Sequence, residues 1–228
     1  MPASVVFALF LAVTTPPAAG PPVYVALGDS TGVGVGAGNR GYPARLAARS
    51  TSPVRLVNLC VSGARAEDVV RDQLGLALAA QPAVATLAIG INDVMAETPP
   101  EHFEAAVERA VSAVAAGGAR LVVVTIPDLS LSPRVAGEAA RAAVRGRTRD
   151  LNERLAAVAR RHGVPLADLF GRGAEVYGGE GTPSGDRFHP SPKGYDRWAE
   201  AIAPTFEGAV RASGGAGGPG LSPDPALR

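Results

Sequence analysis

A single α/β domain built on a parallel sheet is the fold class this sequence predicts, and three observations predict it. Apolar, β-rich runs alternate along the chain with longer segments of helical pattern, and such alternation marks strand–helix crossovers within one sheet, right-handed where chirality applies. Runs such as Leu121-Val-Val-Val-Thr-Ile126 are apolar throughout rather than at every second residue, as expected of strands covered on both faces. The length, 228 residues, suffices for one well-buried domain and is short for two.

Five strands are expected, at 23–27, 54–59, 84–90, 120–125 and 164–167. The first is the β-branched and aromatic run Val23-Tyr-Val-Ala-Leu27. Helices are expected at 42–50, 66–73, 101–116, 134–161 and 192–210. The third starts on the acidic Glu101-His-Phe-Glu104, and the fourth ends at Arg160-Arg161-His162 before Gly163, where cations suit the helix dipole. Gly146 is expected to break that fourth segment into two helices. Ser191 can cap the last helix, with Pro192 at its first position.

The domain so defined runs over 23–211. Residues 1–22 hold an apolar core from Val5 to Val13 and small residues up to Ala19, and read as a signal peptide without a basic n-region, or else as a disordered extension. The first reading places the protein outside the cytoplasm. That apolar core is too short to span a bilayer, so no stable membrane insertion is expected. Residues 212–228 are Gly- and Pro-rich and are expected to be disordered.

The net charge of +1 provides no global field to draw nucleic acid or acidic substrates. Lys193 is the only lysine, and eight arginines fall within 134–161, a pattern read as a solvated helix face. Cys60 is the only cysteine, which excludes an intramolecular disulfide and Cys-based metal sites; it is read as a buried structural thiol.

The chemistry resides in four separated segments. In open α/β sheets, ligands bind outside the carboxyl ends of the strands. Ser30, in Gly28-Asp29-Ser30, lies just past the first strand; Gly63 follows the second; Asn92, in Gly90-Ile91-Asn92-Asp93, follows the third. Asp186-Arg-Phe-His189 stands far downstream. Serine first, then aspartate and histidine, is a triad order. A serine hydroxyl is a weak nucleophile until a base takes its proton, and imidazole can do so near neutral pH. Asp186 would hold the tautomer of His189 and stabilise the imidazolium. Attack on a carbonyl makes an oxyanion, for which the Ser30 and Gly63 N–H groups and the Asn92 amide are candidate donors. The other histidines fit worse: His102 reads as an exposed helix residue and His162 as a helix C-terminus.

These four blocks together resemble those of the SGNH, or GDSL-type, esterase and lipase family, across essentially the whole domain. The resemblance implies a three-layer, flavodoxin-like sandwich with a central five-stranded parallel sheet. It also implies hydrolysis through an acyl-enzyme on Ser30 and no cofactor. A small-molecule ester substrate, a monomer and no metal are expected. Thr31 departs from the pattern, since many relatives carry a larger residue there.

Other readings are weaker. Gly28-Asp-Ser-Thr-Gly32 fits the nucleophile elbow of α/β-hydrolases, but that fold places several strands ahead of its nucleophile. Gly36-Ala-Gly38-Asn-Arg-Gly41 fits a dinucleotide fingerprint, but no acidic residue ends the second strand; a flexible rim is expected instead. A metal-dependent phosphoesterase can be assembled from Asp29, Asn92, Asp93, Asp186 and His189, though such sites usually use more histidines. A catalytically inactive carbohydrate- or lipid-binding protein on the same fold is the non-enzyme alternative. Asp93 is read as a cap on the helix or turn that follows its strand. Leu129, Leu131 and Met95 are candidates to line a modest acyl pocket, equally readable as core, and short acyl or acetyl esters are expected over long-chain lipids.

Overall fold

A computed structural model describes residues 20–177 and 183–214. The readings of residues 1–22 and 212–228 therefore fall almost wholly outside the described residues.

Five parallel strands form one sheet: β1 (Val23–Gly28), β2 (Arg55–Asn58), β3 (Val84–Ala88), β4 (Arg120–Val124) and β5 (Leu166–Ala167), in the order β2-β1-β3-β4-β5. This is the flavodoxin-like order, in which the chain reverses direction across the β1–β3 boundary and opens a crevice there. Every residue of β3, and all of β1 after Val23, is buried, which accounts for their unbroken apolar runs.

Helices pack in two groups. The α2 (Tyr42–Arg49) and α9 (Pro192–Gly214) helices pair with each other, and α6 (Pro100–Ala116) packs with α7 (Glu138–Arg161) and with the segment from α3 (Ala66–Asp68) to α4 (Leu74–Ala79). Short helices α1 (Ser30–Val33), α5 (Ile91–Met95) and α8 (Gly173–Tyr177) complete the domain. The core joins strand residues such as Leu27 and Leu87 to Phe103, Trp198, Ile202 and Phe206 from the helices. Tyr24 stacks on Phe206 and bonds Thr86 Oγ1 at 2.9 Å.

Two expectations about the helices are corrected. Helix α7 runs unbroken through Gly146: a helical glycine costs only about 1 kcal/mol, and Thr148, Leu151, Leu155 and Val158 are buried along the same helix. Four of its arginines meet acidic neighbours, Arg145 with Asp128, Arg147 with Glu97, Arg154 with Glu104 and Asp150, and Arg161 with Glu104 and Glu108. Helix α9 continues to Gly214, past the end expected at 210. The glycine-rich loop after Ser30 comes close to the rest of the rim at Gly36. A Cβ on Gly36, at φ +86°, would stand 2.8 Å from both the Pro190 carbonyl oxygen and Ser184 Cβ, so glycine lets this loop abut the His189 segment. Among the described residues, no helix is long and apolar enough to cross a membrane.

Candidate active site

Ser30 begins α1 directly after β1, and Asp29 caps that turn, its Oδ1 accepting from the Thr31 N–H at 2.9 Å and the Thr31 hydroxyl at 2.8 Å. A polar residue fixes the end of the strand from below. Gln73 is buried within a π-helical turn, Val69–Gln73. Its side-chain amide accepts from the Gly28 N–H at 2.9 Å and donates to the Gly28 carbonyl at 2.8 Å. Gly28 also admits no side chain, because a Cβ there would lie 2.2 Å from the Ala88 carbonyl oxygen. Asn152 grips Ile126 past the end of β4 in the same two-bond manner. Both amides satisfy backbone groups that leave the sheet ladder just where the rim begins.

The structure unites Ser30, His189 and Asp186 by direct hydrogen bonds across the fold. Ser30 Oγ is 2.9 Å from His189 Nε2, and His189 Nδ1 is 2.5 Å from Asp186 Oδ2. Asp186 Oδ1 meanwhile accepts from the Phe188 and His189 N–H groups, each at 2.9 Å, and from the Ser184 hydroxyl at 2.7 Å. One carboxylate thus folds the 184–189 turn and orients the imidazole. Burial pushes the Asp186 carboxyl upward, but the hydrogen bonds from His189, Phe188 and Ser184 outweigh it and hold the group well below the usual carboxylate range. Ser132, fully buried, donates its hydroxyl to the Arg187 carbonyl at 3.0 Å and braces the same turn. The Phe188 ring stands edge-on to the imidazole.

Gly63 and Asn92 sit on the same carboxyl rim, and the segment after Gly63 is tied to the Asn92 turn. Asn92 Nδ2 donates to the Ala64 carbonyl at 2.9 Å, and Asp93 Oδ2 accepts from the Ala66 N–H at 3.0 Å. Asp93 thereby ties the start of α3, the helix after β2, to the turn that follows its own strand. Gly63 is exposed with φ +82°. Asn58 donates to the Gly32 carbonyl at 2.8 Å, linking this rim to the Ser30 turn.

The remaining candidates separate. His102 is exposed on α6, and His162 ends α7 in contact with Glu108. Cys60 is partly buried, with its thiol under Gly28 and Gly32; burial holds that thiol far above its ordinary range, in its neutral form. Leu129 belongs to the core, whereas Leu131 and Met95 are exposed at the rim. No three His, Cys, Asp or Glu side chains group as a metal site among the described residues.

Asp29 is almost fully buried, and burial pushes its carboxyl up to about 6, against the lowering effect of its Thr31 hydrogen bonds. A raised folded-state value means the ionised form is the costly one. Its contribution to stability is complete below the ordinary value of 3.8 and is lost as pH rises through about 6. Asp29→Asn cannot ionise and keeps an oxygen for Thr31. The Tm of the variant minus that of wild type is therefore expected to be larger at about pH 7.5 than at about pH 4.5. Thermal melts of both proteins across that range check it, and a constant difference overturns the assignment.

Residues 26–197 match the model of the GDSL-like lipase/acylhydrolase family. The structure is similar to that of TesA, at TM-score 0.68 and 22% identity, covering 82% of this chain and 99% of that one. It is similar to a lipolytic protein of the G-D-S-L family from Desulfitobacterium hafniense, at 0.66 and 22%, covering 81% and 99%. It also resembles the esterase EstA from Pseudoalteromonas, at 0.64 and 16%, covering 84% and 97%. No curated protein matches in sequence.

Proposed function

We propose that this chain, which belongs to the GDSL-like lipase/acylhydrolase family and is a carboxylic ester hydrolase, works through an acyl-enzyme on Ser30. The observation that carries the reading is the unbroken hydrogen-bonded chain Ser30 Oγ, His189 Nε2, His189 Nδ1, Asp186 Oδ2. His189 Nε2 takes the hydroxyl proton as Ser30 Oγ bonds to the ester carbonyl carbon. Asp186, held ionised by its own hydrogen bonds, stabilises the imidazolium across Nδ1. The tetrahedral intermediate collapses with loss of the alcohol, which receives the proton from Nε2. Water then repeats the sequence and releases the acid.

Developing negative charge on the carbonyl oxygen needs preorganised donors. The Ser30 and Gly63 N–H groups and the Asn92 amide fill that role in this reading. Asn92 spends one of its two N–H groups on the Ala64 carbonyl, which fixes the amide plane and leaves the second for the oxyanion. Short acyl or acetyl esters are favoured: with Leu129 committed to the core, Leu131 and Met95 remain from the expected pocket, and both are exposed. Residues 1–22 are read as an export signal.

The test is a p-nitrophenyl ester series, acetate to palmitate, with EDTA present, on wild type and Asn92→Ala. Wild type is expected to resist EDTA and to favour the shorter chains. In Asn92→Ala, kcat is expected to fall on the order of 100- to 1,000-fold with KM little changed. Loss of wild-type turnover in EDTA would revive the metal-dependent reading, and an unaffected Asn92→Ala would remove this residue from the oxyanion site.

A further inference from the structure

Directly beneath the Ser30 turn lies a cavity of about 10 Å³, walled by the carboxyl ends of β3 and β4 and by α9, with Asp29, Ile89, Ile126 and Trp198 among its lining residues. Two buried polar atoms belong to residues on this wall. Asp29 Oδ2 and Trp198 Nε1 are both out of reach of solvent, and among the described residues neither has a hydrogen-bond partner. Each of the two residues is 1% exposed. Leaving such a group unpaired is costly, so two on one small cavity require a reason.

The two atoms are complementary: a carboxylate oxygen accepts and an indole N–H only donates. Thr125, also on the wall, is no candidate to serve them. Its hydroxyl donates to Asp168 Oδ1 and accepts from the Leu169 and Phe170 N–H groups. The volume is that of about one water molecule, since a single water needs roughly 10–15 Å³.

We propose that this cavity is a binding site for one internal water, which accepts from Trp198 Nε1 and donates to Asp29 Oδ2. The water then joins the same two parts of the chain that meet in the Ser30–His189 hydrogen bond. Asp29 precedes Ser30, and α9, which carries Trp198, starts three residues after His189. Trp198 is thereby a positioning residue: it holds α9 in register with the nucleophile turn. The hydrogen bond to Oδ2 also offsets part of the burial cost of the Asp29 carboxylate.

The sequence makes the test direct, because Trp198 is its only tryptophan and gives one indole N–H signal in NMR. A high-resolution crystal structure of the wild-type protein is expected to show an ordered water within hydrogen-bonding distance of both atoms. The indole N–H is expected to show magnetisation transfer to a long-lived water. Trp198→Phe keeps a ring but removes the donor. Its kcat is expected to fall roughly threefold to tenfold, the scale of one hydrogen bond, with KM unchanged and the water reduced in occupancy. Two results overturn the site: a direct Trp198–Asp29 hydrogen bond with no water, or a cavity without density and an indole without water contact. Full kcat in Trp198→Phe overturns the positioning role.

Discussion

Ser30→Ala is expected to lower kcat by on the order of 10⁶-fold while leaving the fold intact, since members of a nucleophile–base unit fail almost completely when one is removed. The substitution deletes one atom. That atom meets His189 Nε2 at 2.9 Å, so the immediate loss is a single side-chain hydrogen bond, worth about 0.5–1.5 kcal/mol. The turn itself depends on other groups. Asp29 still caps α1 through Thr31, the Ser30 carbonyl still accepts from the Gly34 and Val35 N–H groups, and Gln73 still grips Gly28. Alanine also suits a helical position. Denaturant titration should therefore place the variant within about 1.5 kcal/mol of wild type, while ester turnover approaches the background. Substantial residual turnover would show that Ser30 is not the nucleophile and would sink the acyl-enzyme reading. A large loss of stability would instead mean that the hydroxyl holds the turn together.

The site was legible in sequence to the extent that its chemistry depends on residue type and order. Ser30, Asp186 and His189 carry functional groups that must meet, and the alternation of strands and helices places the ends of β1, β2 and β3 on one rim. The supports of the site were much less visible. Gln73 and Asn152 act through bonds to Gly28 and Ile126, which lie 45 and 26 residues away in the chain. One signal was present for Gln73: Ala66, Val69 and Ala77 are buried along the same segment, so Gln73 sits where that apolar stripe calls for another apolar residue. A buried amide in such a place must have partners. The burial of Asp29 had no comparable signal, because it arises from β3, β4 and α9 closing over the turn. Leu129 shows the same limit, since a rim leucine and a core leucine look alike until the loop after β4 is folded.

Asp186→Asn is expected to reduce kcat by on the order of 10⁴-fold, the size seen when the equivalent carboxylate becomes an amide in another Ser-His-Asp triad, and so less than Ser30→Ala. The variant separates two duties of one side chain. Oδ1 folds the loop, accepting from Ser184, Phe188 and His189, and an asparagine oxygen can keep all three bonds. Oδ2 faces His189 Nδ1, and there an amide NH₂ replaces an acceptor by a donor. Nδ1 must then accept, so the ring proton moves to Nε2 and points at Ser30 Oγ. A protonated Nε2 cannot take the hydroxyl proton, although every heavy atom stays in place. The expected signature is a folded protein with an unchanged 184–189 turn, KM close to wild type, and a histidine ¹⁵N spectrum showing the Nε2–H tautomer. Asp186→Ala would remove the loop contacts as well, and its Tm is expected to fall below that of Asp186→Asn. If Asp186→Asn retains wild-type kcat, Asp186 only shapes the turn, and orientation of His189 must come from the packing of Phe188 and the bond from Ser132 to Arg187.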